Sequence, residues 1–227
     1  IMALCFAAQV PVVPQGGNTS LTGAAVLSVK GGVILSLSRL NSIEDSDVAG
    51  GTIVVGAGVV LSRLHQKLEG SGFMFPMHIG AEGTAQIGGL IATNAGGSHA
   101  FRYGMMQDLV FGLEVVLPDG RVWNGMRRVQ KDNAGYQLRK IFCGAEGTLG
   151  IVTKAVLKLS PEPVQQVTAF LAVATMEAAY RLTTLFRAKA GDFLNALEFV
   201  SDTGLGMALD NIPDITFPLK QRAPFYL

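Results

Sequence analysis

The sequence of 227 residues is poor in charge, aromatic side chains and cysteine. Charged residues make up 15% of the chain, against about 25% in an average soluble domain, and aromatic residues make up 7%. The net charge is only +1, so the composition indicates no nucleic-acid partner. Cys5 and Cys143 stand far apart in the sequence, which excludes a disulfide scaffold. Two free thiols fit a reducing compartment, and we therefore predict a cytoplasmic protein.

The sequence also lacks a long uninterrupted apolar run. Residues 1–29 and 83–101 carry no charged side chain, but prolines, glycines and amides interrupt both stretches. Neither approaches the run of about 20 apolar residues that a membrane helix needs, so no transmembrane segment is predicted. A basic segment typical of a signal peptide is also missing. Because apolar residues reach 49%, the chain is expected to be globular and not disordered.

The apolar pattern alternates between strand-like and helix-like spacing. Residues 32–38 and 151–159 alternate as strands do, and residues 60–68 repeat at helical spacing. Residues 111–123 are typical of a hairpin, since Pro118-Asp119-Gly120 interrupts two apolar runs. This mixture predicts an α+β fold.

A domain boundary is predicted at Ser160–Pro163, where two prolines break any regular element. Residues 1–160 would form the first domain and 161–227 the second. In the second domain we expect a strand over 167–173, a helix capped by Thr175 and a strand over 193–200. The apolar residues at both ends indicate a fragment of a longer protein.

Several common kinds of catalytic or binding motif are missing. The sequences of a Walker A loop, a Gly-x-Ser-x-Gly elbow, HExxH and CxxC do not occur. His65, His78 and His99 are scattered along the sequence, so no metal site is predicted. Gly56–Leu61 imitates a dinucleotide-binding turn, but Leu61 stands where a small residue belongs, which disfavours an NAD site.

Three glycine-rich segments carry the strongest signal for a ligand. Pro14–Ser20 directly follows a strand, and its glycines would let successive N–H groups converge on an anion, although an ordinary tight turn explains this segment equally well. The second segment, residues 78–97, and the third, Gly144–Gly150, combine glycines with Thr, Asn or Glu. Because glycines have no side chains, a ligand can approach the backbone of these segments closely. Together the segments predict an extended ligand with a phosphate portion.

The order and spacing of these segments resemble the FAD-linked oxidases of the vanillyl-alcohol-oxidase (PCMH-type) flavin fold, and within them the D-2-hydroxyglutarate and D-lactate dehydrogenase group. The resemblance covers residues 11–160 almost without gaps and 161–227 more loosely. The stretches that carry it are PQGGNTSLTG, IGAEGTAQIGGLIATNAGG, RYGMMQDLVFGLEVVLPDGRVW, KDNAGYQLRKIFCGAEGTLGIVT and LEFVSD.

The resemblance implies a PCMH-type FAD-binding domain of two α/β subdomains in residues 1–160, lacking its first elements. The start of an antiparallel-sheet cap domain, incomplete, would follow in 161–227. The FAD would be non-covalent, because Asn18 stands where some relatives carry the His that bonds the flavin. The resemblance assigns cofactor contacts in all three segments, at Pro14, Gly16, Gly17, Asn18, Thr19, Ser20, Pro76, Gly83, Thr84, Gly88, Gly89, Thr93, Asn94, Glu146, Gly147, Gly150, Ile151 and Val152.

The function implied is an FAD-dependent oxidoreductase that oxidises a D-2-hydroxy acid, such as D-2-hydroxyglutarate or D-lactate, to the 2-oxo acid by hydride transfer to flavin. An electron-transfer flavoprotein or a quinone would accept the electrons. No catalytic residue is assigned, because in the family the substrate-orienting residues lie beyond Leu227, and we expect the isolated chain to be inactive. One alternative is a flavin-free, non-catalytic module of the same fold, whose exposed faces predict homo-oligomers. An oxidase that reacts directly with oxygen is another.

Overall fold

The computed structural model describes residues 1–227 and divides into two compact units, Ile1–Glu162 and Pro163–Leu227. Each unit is described by itself. The helices of the first unit are α1 (Met2–Ala7), α2 (Leu61–Leu68), α3 (Ile87–Ala92), α4 (Ala100–Tyr103), α5 (Met106–Leu109) and α6 (Arg139–Phe142). Its strands are β1 (Val12–Gln15), β2 (Val33–Ser36), β3 (Thr52–Gly56), β4 (Phe73–Met74), β5 (Val110–Val116), β6 (Val122–Gly125), β7 (Ile151–Lys158) and β8 (Ser160–Pro161).

A four-stranded antiparallel sheet in the order β3-β7-β5-β6 forms the centre of the first unit. The predicted hairpin is present, with Val115 of β5 opposite Trp123 of β6. Strand β3 is buried along its whole length, and Ala155, Val156 and Leu157 of β7 are also fully buried. A strand covered on both faces needs a continuous run of apolar or β-branched residues, as in β3 and in the buried part of β7.

Two short strand pairs lie outside this sheet. Strands β1 and β2 pair in parallel from Val12 opposite Val33 to Gln15 opposite Ser36, and β4 pairs with β8 in the antiparallel sense. Because β1 ends at Gln15, the glycine-rich loop begins at once after a paired strand. The paired strand therefore fixes the start of that loop.

Helix α2 packs against the core through the residues that its spacing predicts. Leu61, Leu64 and Leu68 are all buried. Before it, Gly56 and Gly58 serve close packing: a Cβ at either residue would lie within 3 Å of the carbonyl carbon of Leu40 or Leu37, respectively. The two glycines therefore face neighbouring backbone and do not form a ligand-binding turn.

The second unit has helices and a small antiparallel sheet. Its elements are β9 (Ala172–Val173), α7 (Met176–Ala190), a 3₁₀ turn (Gly191–Phe193), β10 (Val200–Ser201), α8 (Asp202–Asn211) and β11 (Phe225–Tyr226), with the strands in the order β10-β11-β9. Tyr226 of β11 is fully buried and its ring stacks on Phe170 at a centroid distance of 5.0 Å. The predicted helix cap is present, since Oγ1 of Thr175 accepts a hydrogen bond from the N–H of Ala178.

Two predicted strands of the second unit are much shorter than the sequence indicated. Only Ala172–Val173 of the range 167–173 is a strand, and of the range 193–200 only Val200 is in one. Strand β11, the shared neighbour of both, is just two residues long and pairs with no more of either segment. Beyond β9 the pairing continues only at Leu171, which exchanges two backbone hydrogen bonds with Leu227, so the apolar alternation of these segments extends further than their strands.

The three histidines, which are scattered along the sequence, lie close together in the folded chain. The ring centroids of His65 and His78 are 4.7 Å apart, and those of His78 and His99 are 4.8 Å apart. The residues come from three separate segments, so only tertiary packing brings them together.

No helix of the structure combines the length and the apolar character that crossing a lipid bilayer requires.

Candidate cofactor-binding site

The three glycine-rich segments line one groove in the first unit. The groove has a volume of about 220 Å³ and is partly open to solvent, so a long ligand can extend along it. Most of the predicted contact residues line this groove, namely Pro14, Gly16, Gly17, Asn18, Thr19, Ser20, Gly88, Gly89, Thr93, Glu146, Gly147, Gly150, Ile151 and Val152.

The loop after β1 offers a series of free backbone donors. The N–H groups of Gly16–Ser20 have no hydrogen-bond acceptor within the chain. Asn18 adopts the left-handed backbone conformation, with a φ of 52°. A left-handed residue within such a run makes successive N–H groups converge, and this arrangement binds anionic oxygens. The loop can therefore hold a phosphate group without a cationic side chain.

Glycines let the first segment lie directly against the other two. A Cβ at Gly17 would lie 2.8 Å from the carbonyl carbon of Thr84, and a Cβ at Gly147 would lie 2.6 Å from Cγ of Pro14. Gly147 also has a φ of 79°, which other residues rarely adopt. The groove keeps its shape because these backbones touch without intervening side chains.

Backbone hydrogen bonds join the second and third segments at the end of α3. The N–H of Gly144 donates to the carbonyl of Ile91 at 3.0 Å, and the N–H of Glu146 donates to that of Ala92 at 2.9 Å. Like Asn18, Asn94 and Glu146 have positive φ values, of 45° and 49°. Left-handed residues other than glycine concentrate at binding sites because they carry strain that the surroundings must support.

The walls of the groove are mostly apolar and contain no cation. No Lys, Arg or His lines it, and Glu146 is the only charged residue there. Gly89 has open space where a Cβ would project. Oε1 of Gln86 is buried with no hydrogen-bond partner, which leaves an acceptor beside the loop. These features fit a ligand with an anionic part and an apolar part.

Four predicted contact residues do not line the groove. Pro76 is buried in the core segment before His78, and Gly83 is exposed. Thr84 contributes its backbone to the packing against Gly17. Asn94 supports the end of α3, since its Oδ1 accepts a hydrogen bond from the N–H of Gln107.

The sequence prediction missed other residues of the wall. These are Ala24, Ala25, Leu37, Ile79, Ala85, Gln86, Leu90, Ala92, Ala95 and Phe142. Most are small or aliphatic, and single residues of those types give no signal that separates a groove wall from a core. Gln86 is the exception, because its amide side chain is polar among glycines and aliphatic residues.

Cys143 lies next to Phe142 but provides no reactive thiolate. Burial raises the pKa of its thiol to about 11, against an ordinary value of 9.0, and the nearby Arg139 and Lys140 offset only part of this effect. The thiol stays protonated at neutral pH, so it has neither the charge nor the nucleophilicity for covalent chemistry.

Comparison with known proteins identifies the ligand class. A family model described as FAD binding domain matches residues 1–125. The chain is 36% identical over all its 227 residues to a D-2-hydroxyglutarate–pyruvate transhydrogenase of Saccharomyces cerevisiae. It is 35% identical over the same length to a mitochondrial D-2-hydroxyglutarate dehydrogenase of Arabidopsis thaliana. It covers 46% and 40% of these relatives, so it spans less than half of their length.

A solved structure of alkyldihydroxyacetonephosphate synthase superposes with a TM-score of 0.71 at 24% identity, over 83% of this chain and 34% of that one. The predicted α+β fold with a PCMH-type FAD-binding domain is thereby confirmed. The prediction of a cytoplasmic protein is wrong, because relatives over the whole chain are named as mitochondrial proteins. Composition and two free thiols do not distinguish these compartments.

FAD contains the anionic pyrophosphate and the apolar ring system that the groove fits. The family model extends from the first helix to the end of β6 and so includes the free N–H groups of Gly16–Ser20 and the whole of α3. Since it spans more than half of the sequence, the chain belongs to the FAD binding domain family, and FAD is its cofactor.

Proposed function

We propose that this chain is the FAD-binding part of an oxidoreductase that oxidises a D-2-hydroxy acid, with D-2-hydroxyglutarate as the first candidate, to the 2-oxo acid. One structural observation carries the proposal: three glycine-rich segments, distant in sequence, form one groove with free backbone donors at one side. The substrate class rests on the relatives, whose names give D-2-hydroxyglutarate. Bound FAD supplies a hydride acceptor, which the side chains of the groove lack.

The residues of the chain bind and orient the cofactor. The N–H groups of Gly16–Ser20 hold the pyrophosphate, since they are free and converge near Asn18. Neutral donors of this kind stabilise an anion without the mobility of a Lys or Arg side chain. Leu37, Leu90 and Val152 provide apolar surface that excludes water from the cofactor. The remaining predicted residues that line the groove contact FAD mainly through their backbone.

The FAD is held non-covalently. The lining of the groove contains no His, Cys or Tyr that could form a bond to the flavin. The nearest thiol is that of Cys143, and its raised pKa keeps it protonated. Denaturation of the flavin-loaded chain should therefore release all of the flavin into the supernatant.

The two units divide this work. Ile1–Glu162 contains every residue that lines the groove and is the FAD-binding domain. We assign the substrate to the second domain, of which Pro163–Leu227 is a part. The electron acceptor is an electron-transfer flavoprotein or a quinone. A pyridine nucleotide is disfavoured, because the glycines of Gly56–Gly58 pack against backbone and leave no room for a ligand.

Two experiments test the proposal at its two levels. First, the purified chain is titrated with FAD, with quenching of flavin fluorescence as the readout. We expect saturable binding of one FAD per chain. A folded chain that fails to bind would favour the flavin-free module instead.

The second experiment tests the substrate. The chain, extended to the length of its relatives, is mixed with D-2-hydroxyglutarate, L-2-hydroxyglutarate or D-lactate, and bleaching of the flavin absorbance is followed without oxygen. We expect rapid bleaching with D-2-hydroxyglutarate and none with the L-isomer. Bleaching by D-lactate alone would identify D-lactate as the substrate and leave the proposed reaction type unchanged. Bleaching by none of them would remove the proposed activity and leave FAD binding intact. Rapid reoxidation by air would indicate an oxidase.

A further inference from the structure

A cluster of nitrogen and oxygen donors lies in the first unit, on residues that do not themselves line the groove. Glu82 stands between two imidazoles: its Oε1 lies 2.8 Å from Nδ1 of His78, and its Oε2 lies 3.5 Å from Nδ1 of His65. His65, His78 and Glu82 each offer one ligand atom, and these three atoms all lie within 4.8 Å of one another.

Two imidazole nitrogens at this cluster lack any protein partner. Nε2 of His65 and Nδ1 of His99 are both inaccessible to solvent and accept or donate no hydrogen bond. The ring of His99 meets that of His78 edge-on, at a centroid distance of 4.8 Å. Buried polar atoms are nearly always satisfied in folded proteins. Two such atoms in one cluster point to a group that the protein binds there.

The backbone holds the three contributing segments together. The N–H of Ser62, in the first turn of α2, donates to the carbonyl of Glu82 at 3.1 Å. The N–H of Ser98 donates to the carbonyl of His78 at 2.9 Å. Gly97 makes the second contact feasible, because a Cβ there would lie 2.9 Å from the backbone nitrogen of His78. The positions of the donors are therefore set by the fold and not by flexible loops.

We propose that His65, His78 and Glu82 bind a divalent transition-metal ion with the preferences of zinc. Two imidazoles and one carboxylate are a common zinc donor set, and such sites leave a fourth coordination position open. Zinc–nitrogen bonds of about 2.0–2.1 Å place neighbouring donors roughly 3.3 Å apart in a tetrahedral site. The three donor atoms, all within 4.8 Å of one another, are close to that spacing.

Access suits this assignment. The side chains of His65, His78 and Glu82 are 20%, 39% and 31% exposed, so an ion can enter from solvent.

The ion would join α2 to the segment that contains His78 and Glu82, next to the cofactor groove. Ile79 and Ala85 line the groove, and they flank His78 and Glu82 in the sequence. A metal that binds the folded but not the unfolded chain stabilises the fold, and this stabilisation grows with the logarithm of the ratio of the metal concentration to the dissociation constant. We therefore infer a structural site that fixes one wall of the groove. This inference does not depend on the substrate or on FAD.

The test measures zinc binding to the purified chain after treatment with EDTA and its removal. A background with Cys5→Ser and Cys143→Ser removes the thiols, which also bind zinc. Titration calorimetry with zinc chloride is compared among this background, His78→Asn, Glu82→Gln and Glu69→Gln. Glu69 lies just after α2 and outside the cluster, so its variant is the matched control. Cobalt(II), whose visible bands report the ligand geometry, replaces zinc in a second titration.

We expect one zinc ion per chain, a melting temperature that rises with added zinc, and tetrahedral bands with cobalt. His78→Asn and Glu82→Gln should weaken binding by more than the roughly 10–100-fold that outer-shell changes cost, whereas Glu69→Gln should leave it unchanged. Two results would overturn the proposal: no saturable zinc binding to the folded background chain, or equal binding by all variants. In the first case Glu82 is simply a hydrogen-bond bridge between two histidines. Circular dichroism of each variant shows whether a loss of binding arises from unfolding.

Discussion

Gly17, in the lining of the cofactor groove, packs directly against the backbone of Thr84. A Cβ at Gly17 would lie 2.8 Å from the carbonyl carbon of Thr84 and closer still to its oxygen. No rotation of a flexible side chain can relieve such a contact, because the atoms involved belong to the main chain. The loop with the free N–H groups is therefore positioned by the absence of a single methyl group.

Replacing Gly17 by Ala should force these two segments apart. We expect the free energy of unfolding to fall by about 1–3 kcal/mol, the usual cost of an added methyl group in a packed site. Because the displaced loop carries the free N–H groups, the affinity for FAD should fall by at least about tenfold. Urea unfolding and FAD titration measure the two effects.

Gly83→Ala is the control for this prediction. Gly83 lies in the neighbouring segment, is exposed, and has no atom within 4 Å of an added Cβ. Its variant should match the parent chain in both measurements. If Gly17→Ala and Gly83→Ala behaved alike, the contact with Thr84 would have no role in positioning the loop.

A larger side chain at Gly89 should weaken cofactor binding without lowering the free energy of unfolding. It lies within α3, lines the groove, and has open space at its Cβ position. Replacing a helical Gly by Leu favours the helix by up to about 1 kcal/mol, so the free energy of unfolding should stay level or rise. The longer side chain would occupy the groove and weaken FAD binding by about tenfold or more.

Gly89→Ala provides the matched comparison, since it gives the same helical gain with only one methyl group. We expect its FAD affinity to lie between those of the parent and Gly89→Leu. An unchanged affinity in Gly89→Leu, measured by fluorescence titration, would show that the cofactor does not lie along this face of α3.

How far the sequence predicts this site depends on what kind of signal each residue carries. Gly17 and Gly147 can be recognised in the sequence as site residues because clusters of glycine are rare. Such clusters mark places where the chain packs closely without a side chain of its own. Ala24 and Ala25 line the same groove without any signal, because an alanine fits a core, a helix or a wall equally well. Asn94 carries a signal but supports the end of α3 instead of lining the groove.

The same reasoning explains the errors outside the groove. The spacing of Leu61, Leu64 and Leu68 predicts α2 because the burial of a helix depends on a local period. The strands of the second unit were overestimated because a strand also needs a partner, and β11 is only two residues long. The histidine cluster was missed because the hydrogen bond from Ser98 to His78, and not sequence spacing, brings His99 to its neighbours.

Cys143 should react with alkylating reagents far more slowly than its thiol would in an unfolded chain. Burial raises its pKa to about 11, so near pH 8.5 little of it is the thiolate that reacts. We expect iodoacetamide to label Cys143 only after the chain is unfolded in urea. Peptide mass spectrometry measures this, with labelling of the same residue in the unfolded chain as the reference.

This raised pKa also predicts how stability depends on pH. The folded state keeps the thiol proton up to about pH 11, whereas the unfolded chain releases it near its ordinary pKa of 9.0. The unfolded state therefore binds fewer protons in this window, and the free energy of unfolding falls as the pH rises through it. Cys143→Ala should reduce that dependence. Equal pH dependence in both chains would show that the thiol is not the group responsible.

Two threonines of α7 should respond to alanine substitution with opposite signs. Oγ1 of Thr175 accepts a hydrogen bond from the N–H of Ala178 at the start of the helix, and its loss should cost about 1 kcal/mol. Thr184 lies inside the helix, and its hydroxyl donates to the carbonyl of Tyr180. Because a carbonyl inside a helix also accepts a backbone N–H, loss of the hydroxyl leaves it satisfied. The free energy of unfolding of Thr184→Ala should therefore be unchanged or higher by up to roughly 0.7 kcal/mol, owing to helix propensity.

Hydrogen exchange of the amides in Met176–Ala190 gives the local readout for both substitutions. Exchange in the first turn should become faster in Thr175→Ala, because the N–H of Ala178 loses its acceptor and the helix end opens more often. In Thr184→Ala the exchange should be unchanged or slower along the helix. Equal acceleration in both variants would mean that the threonines act through packing in the second unit and that the cap at Thr175 does not set the start of α7.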